Sequence, residues 1–356
     1  MKSTPVLSPR NADPESPHAV RESLTSAAFQ GRSRVFATTV LRESGHALTG
    51  YLLELDWRIG AVRRSLPIPV DTRHPLWNGR GGNRGGRGLA VHDGVLYVAT
   101  AMSVLMYDTE LQFIGELASP YLCGLHELFA EPDGLWCTST VHDLIVKIDY
   151  QGRMLDQWWG SESPALQRAL RYEGRALNLD LKFPTGTFEA EYDRYCQEER
   201  LHVNTVWRHD GELYVLACRK NALIRIRPEP ETIILEDPAL GSPHNGILTP
   251  DGRVLINDTI NQRLRIYDRQ TGQCEKTIET IVRQEGRSSQ FVRVGWQRGL
   301  AHAEGSIYLV GTSPAAVFEV DIDSGRIGRL CVIDQDVRHC IHGLIVTDQL
   351  TSVRHD

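Results

Sequence analysis

The chain has 356 residues, 41% of them hydrophobic and 24% charged, with a net charge of −6 and a pI near 6.1. That balance suits a globular fold and excludes general nucleic-acid binding, which needs a basic surface to displace counterions. No apolar run approaches the ~18 residues that span a bilayer. The seven cysteines stand at irregular spacing with no CxxC pair, so a disulfide framework is not expected.

Residues 1 to 30 are rich in Ser, Pro and charge and lack periodicity, which predicts a flexible tail. The opening MKSTPVLSPRNADPESPHAV has no apolar core of a secretory signal. With reduced cysteines, this gives the cytoplasm as the expected compartment. From Arg34 the chain changes character: RVFATTV, GYLLELD and AVRRSLPIPV are strand-length, β-branched and separated by turn residues. A second unit follows in GRGLAVHDGVLYVATAMSVLMYD (86–108) with FIGELA, and a third in GLHELFAEPDGLWCTSTVHDLIVKID (124–149) with MLDQWW. Residues 160–198 break the pattern with a helical ALQRALRY and read as an insertion.

Two full units, LHVNTVWRHDGELYVLACRKNALIRIRP and SPHNGILTPDGRVLINDTINQRLRIYD, occupy 201–267. A sixth unit is QRGLAHAEGSIYLVGTSPAAVFEVD (297–321). The last segment, CIHGLIV (340–346), is a lone copy of an opening strand, and the first unit lacks one. Supplying the missing strand from the C-terminus closes a ring. The expected fold is therefore all-β, a six-bladed β-propeller over 31–350, with units of about 40 residues. Closure removes most exposed sheet edges. Residues 160–198 are expected to cap one face.

Aligning the opening strands on their apolar alternation puts Arg87, His126, His202, His244, Arg298 and His342 at one position. Inner propeller strands surround the axis, so these side chains should ring the mouth of the central channel. A register slip would place Asn204 there in place of His202. Six potentially cationic groups repel one another and are costly to desolvate unless something negative or metallic sits among them. The bland alternative is that His is a repeat residue bonding between blades.

Two chemical readings follow. In the first, neutral His126, His202, His244 and His342 bind a divalent metal. A nitrogen-only set without thiolate suits Fe(II) first, with Zn or Cu as alternatives. Arg87, Arg298 and Arg219 would orient a small anionic substrate for oxygenase or lyase chemistry. The arrangement is similar in site logic to the carotenoid cleavage oxygenases, which are iron enzymes. That resemblance implies a carboxylate behind the ligands, for which Glu127 is the neighbouring candidate.

In the second reading the ring handles an anion directly. RLHVNTVWRHDGELYVLACRKNALIRI and PHNGILTPDGRVLINDTINQRLRIYD resemble two consecutive blades of the bacterial aryl-sulfate sulfotransferases. The resemblance implies that His202, Asn204 and Arg219 bind a sulfuryl group, with His244 as the nucleophile. The whole chain also resembles uncharacterised bacterial six-bladed propellers. A non-enzymatic binding platform is the third reading.

The glycine-rich WNGRGGNRGGRG (77–88) reads either as an interblade connection or as an anion-gripping loop. His92, His209 and His302 belong to turns on the opposite face, while His339 precedes the last strand. The partner expected is a small molecule rather than nucleic acid or membrane, with oligomeric state open.

Overall fold

The computed structural model describes residues 22–43, 48–69, 85–119, 121–174, 199–280 and 292–350. They form six four-stranded antiparallel sheets. Innermost strands run Leu89–His92, Leu125–Glu131, Val203–His209, His244–Leu248 and Leu300–Glu304 in the second to sixth blades. The first blade takes His339–Thr347 as its innermost strand, paired with Arg34–Leu41. The C-terminus therefore closes the ring as the sequence predicts.

Local chemistry sets the hairpins. His92 pairs with Val95 and His209 with Glu212, so Asp93-Gly94 and Asp210-Gly211 are two-residue loops. Both residues of each loop have positive φ, the geometry that suits the twist of the flanking strands. Middle strands such as Gly134–Ser139 and Ile307–Thr312 are buried at every position, while outer strands such as Phe113–Ala118 are mostly exposed. A middle strand is sandwiched between neighbouring blades, so both of its faces need apolar residues.

Each junction between blades holds its own apolar cluster. Phe36, Leu52 and Leu96 fill the first and Leu117, Leu125 and Cys137 the second. Trp158, Val203 and Val215 fill the third, and Trp207, Leu216 and Tyr267 the fourth. Leu264 and Phe318 pack in the fifth, and Val35, Leu309 and Ile341 in the sixth, where the chain ends meet. No helix among the described residues is long and apolar enough to cross a membrane.

Two boundaries differ from expectation. Residues 22–32 do not behave as a tail, because Ser23 and the Leu24 N–H donate to Glu319 of the sixth blade. Ser26 then caps a short helix, Ala27–Arg32. The polar composition that suggested a tail supplies these donors. The insertion begins with a helix, Pro164–Leu170, whose Leu166 and Leu170 join the cluster between the third and fourth blades. Residues 175–198, 77–84 and 1–21 lie outside the described residues, and with them most of the expected cap, glycine-rich loop and tail.

Candidate metal and anion site at the axis

The four histidines meet at the axial mouth. Ring centroids lie 5.0 Å apart for His126 and His202, 6.0 Å for His126 and His244, 6.2 Å for His202 and His244, and 5.3 Å for His126 and His342. One nitrogen each from His126, His202 and His244 lies within 4.8 Å of the others. His342 neighbours His126 but stands outside that three-nitrogen group.

The histidines do not share one strand position. Each of their strands carries a β-bulge here, falling at His126-Glu127, Asn204, Asn245 and His342. His244 stands one residue before its bulge and His202 two residues before. A bulge adds a residue and re-aims its neighbours, so different positions converge on one point. Asn204 itself turns away: its amide donates to the Pro243 carbonyl at 2.8 Å, steadying the segment that leads into His244. The Asn204 amide, read from the sequence as a sulfuryl contact, is engaged within the protein.

Anchoring is the same for all three rings of the group. His126 Nδ1 donates to the Gly124 carbonyl at 2.9 Å, and His244 Nδ1 donates to the Ser242 carbonyl at 2.9 Å. Gly124 and Ser242 both have positive φ, which folds each carbonyl back toward the ring two residues on. A Cβ on Gly124 would meet Val141 Cγ2 at 2.4 Å, so glycine is required there. Thr140 and Thr259 lie beside the same two Nδ1 atoms, at 3.0 and 3.4 Å. His202 Nδ1 donates to Glu199 Oε2 at 2.7 Å. Since carbonyl and carboxylate oxygens only accept, each Nδ1 carries a proton. The His244 Nε2 is buried with no hydrogen-bond partner.

Asp143 builds this corner from the neighbouring blade. Its carboxylate accepts from the backbone N–H groups of Arg200, Leu201 and His202 at 2.7, 3.0 and 2.8 Å. Those bonds hold His202 in the left-handed region, at φ 53°.

Electrostatics keep His126, His244 and His342 neutral. Burial, then Arg87 and the neighbouring histidines, hold His126 well below the ordinary imidazole value. Burial, then Arg298, do the same for His244 and His342. Arg298 is itself pushed down to about 9 by burial and by Arg42. The Arg87 guanidinium donates to the Leu125 carbonyl and lies 3.5 Å from His126 Nδ1.

Glu127 does not stand behind a histidine. Its carboxyl accepts from Asn245 Nδ2 at 2.9 Å, across to the fifth blade, and burial pushes its pKa up to about 7. The carboxylate that orients a ring is Glu199, which sequence reasoning missed because it follows directly on the insertion. Its signal was the spacing Glu199-x-x-His202. Arg42, in the first hairpin, was also missed.

Arg219 stays at the rim. It is half exposed and donates to Glu199 Oε2 at 3.2 Å. With Tyr172, Glu173, Arg200 and Lys220 it lines a cavity of about 540 Å³ beside the axial site. His92 and His209 pair with the neighbouring Asp93 and Asp210 at far-face turns, and His302 bonds the Gly305 carbonyl. His339 bridges Asp334 and Thr39 away from the axis.

No family model matches the chain, and no curated protein matches it. Among solved structures, a chain of a nidogen/laminin complex is 11% identical, with 88% of this chain and 98% of that chain covered and a TM-score of 0.56. A protein of unknown function from Bacteroides caccae is 9% identical over 88% of this chain and 98% of its own, with a TM-score of 0.49. Virginiamycin B lyase from Staphylococcus aureus is 11% identical over 88% of this chain and 84% of its own, with a TM-score of 0.48. The first of these likenesses gives the ring fold and nothing of the axial chemistry. The resemblances to sulfotransferases and carotenoid oxygenases gain no support from these structures.

Proposed function

We propose that this protein is a metal-dependent enzyme whose ion is held by Nε2 of His126, His202 and His244. The observation that carries the reading is the shared anchoring: three rings, each fixed through Nδ1, with one nitrogen from each grouped within 4.8 Å. A neutral imidazole whose other N–H is bound by a carbonyl or carboxylate is the usual state of a histidine ligand. Three ligands leave coordination positions for substrate or water. The nitrogen-only set suits Fe(II), Zn or Cu. Such an ion, when bound, supplies Lewis-acid or redox chemistry to a small molecule at the mouth. The chain's own part is to hold the rings in place, and Glu199 fixes His202 for that purpose.

The test is elemental analysis of protein purified without a histidine tag. About one iron, zinc or copper per chain is expected, and close to none in His126→Ala/His244→Ala. Absence of metal from protein produced with all three ions supplied would overturn the reading. Glu199→Ala is expected to weaken metal affinity about 10–100-fold, measured by competition with a chelator. Unchanged affinity would show that the carboxylate does not orient His202 for a ligand.

A second reading has its own observation. The His244 Nε2 is buried and unpartnered, and the ring is neutral, so it is equipped as a nucleophile. Sulfuryl transfer through His244 predicts a mass increase on that residue after exposure to an aryl sulfate. An unlabelled His244 counts against it.

A further inference from the structure

Several of the described arginines pair with carboxylates. Arg34 donates to Glu54, Arg208 to Glu131, Arg225 to Glu212 and Arg227 to Asp156. Arg298 has no carboxylate partner among the described residues, and its Nε is buried without a hydrogen bond. The Trp296 ring lies 5.8 Å from its guanidinium carbon. Its backbone N–H is tied to the Gly311 carbonyl, which fixes it at the entry to the sixth blade's inner strand. That blade lies between the fifth, which carries His244, and the first, which carries His342.

His342 is 4% exposed and its Nδ1 has no partner. It therefore departs from the other three rings, each of which spends Nδ1 on an anchor. Arg42 and Arg87 add positive charge to the same sector. The neighbouring carboxyl, Glu127, is engaged by Asn245 and the Leu128 N–H. A partly buried guanidinium without a carboxylate partner is costly, and Arg298 acts electrostatically on His342, whose Nδ1 is unused.

We propose that Arg298 and His342 form an oxyanion subsite at the axial mouth, which holds the carboxylate or sulfate-like group of a small substrate next to the three-histidine group. The fork of the guanidinium matches two oxygens of such a group, and His342 Nδ1 bonds a third atom or a protonated oxygen. Arg219, occupied by Glu199 at the rim, is not part of the subsite. The inference shares the axial mouth with the metal reading but does not need the ion.

The experiment uses the full chain after chelator treatment, with acetate, oxalate and inorganic sulfate as separate probes. Calorimetry and thermal unfolding should show binding of at least one, and the tightest probe identifies the oxyanion. Arg298→Gln should bind that probe at least about tenfold more weakly. Without any probe, Arg298→Gln should melt at or above the parent temperature, because it removes a partly buried charge with no carboxylate partner. No response to any probe overturns the subsite, as does undiminished binding in Arg298→Gln. A probe-free Arg298→Gln that melts well below the parent also overturns it, since the guanidinium would then have a protein partner. Metal content of the untreated protein is read separately, so the failure of either reading leaves the other standing.

Discussion

A chain ending at Arg338 is expected to lose cooperative folding altogether. The missing strand, His339–Thr347, pairs with Arg34–Leu41 from Thr347 opposite Arg34 to His339 opposite Leu41. It also delivers Ile341 and Leu344 to the junction between the sixth and first blades. Without it the first blade keeps three strands, its inner edge is unpaired, and one junction of the ring opens to water. Every other blade depends on being clasped from both sides. A single substitution gives a graded form of the same test. Ile341 is 1% exposed, and a Cβ on Gly311 would meet its Cγ2 at 2.2 Å, so the side chain fills a tight seat. Ile341→Ala should cost about 2–5 kcal/mol, a large share of the roughly 5–15 kcal/mol that holds a domain together. Denaturant unfolding measures both. A truncated chain with a sharp transition near the parent midpoint would show that the ring does not depend on its closure.

The metal-free protein is expected to lose stability as pH falls below about 6.5, the ordinary imidazole value. His126, His244 and His342 are held well below that value in the fold, by burial first and by the arginines second. In the unfolded chain they take up protons near 6.5 while the folded protein does not. The unfolded state then binds more protons, so acid favours it. Stability is complete above the ordinary imidazole value and is lost progressively toward the lower, folded values. Each ring contributes up to about 1.4 kcal/mol per pH unit in that window. His342→Gln should remove about one proton's worth of slope. The measurement is the denaturant midpoint between neutral pH and pH 5.5, with and without the substitution. A flat profile would mean that the rings titrate normally and are not desolvated at the axis. Bound metal should steepen the loss, because its ligands must be deprotonated.

The sequence by itself determined the ring. Strand-length apolar segments, the turn residues between them, and a spare opening strand at the C-terminus are local patterns, and each reports local burial or local turn geometry. They led to six blades, to the closure, and to the neighbourhood of His126, His202, His244 and His342. Tertiary structure decided which nitrogens meet. Bulges at His126-Glu127, Asn204, Asn245 and His342 shift side chains by a residue, and a bulge is visible only when two strands are paired. The same holds for the carboxylate behind His202. Glu127 adjoins a ring in sequence yet reaches Asn245 across the axis, whereas Glu199 is held beside His202 by a turn that Asp143 ties down from the neighbouring blade. That Arg298 meets no carboxylate among the described residues is likewise decided by packing between blades. Contacts between blades are set by the closing of the whole ring, and no periodicity within one blade encodes them.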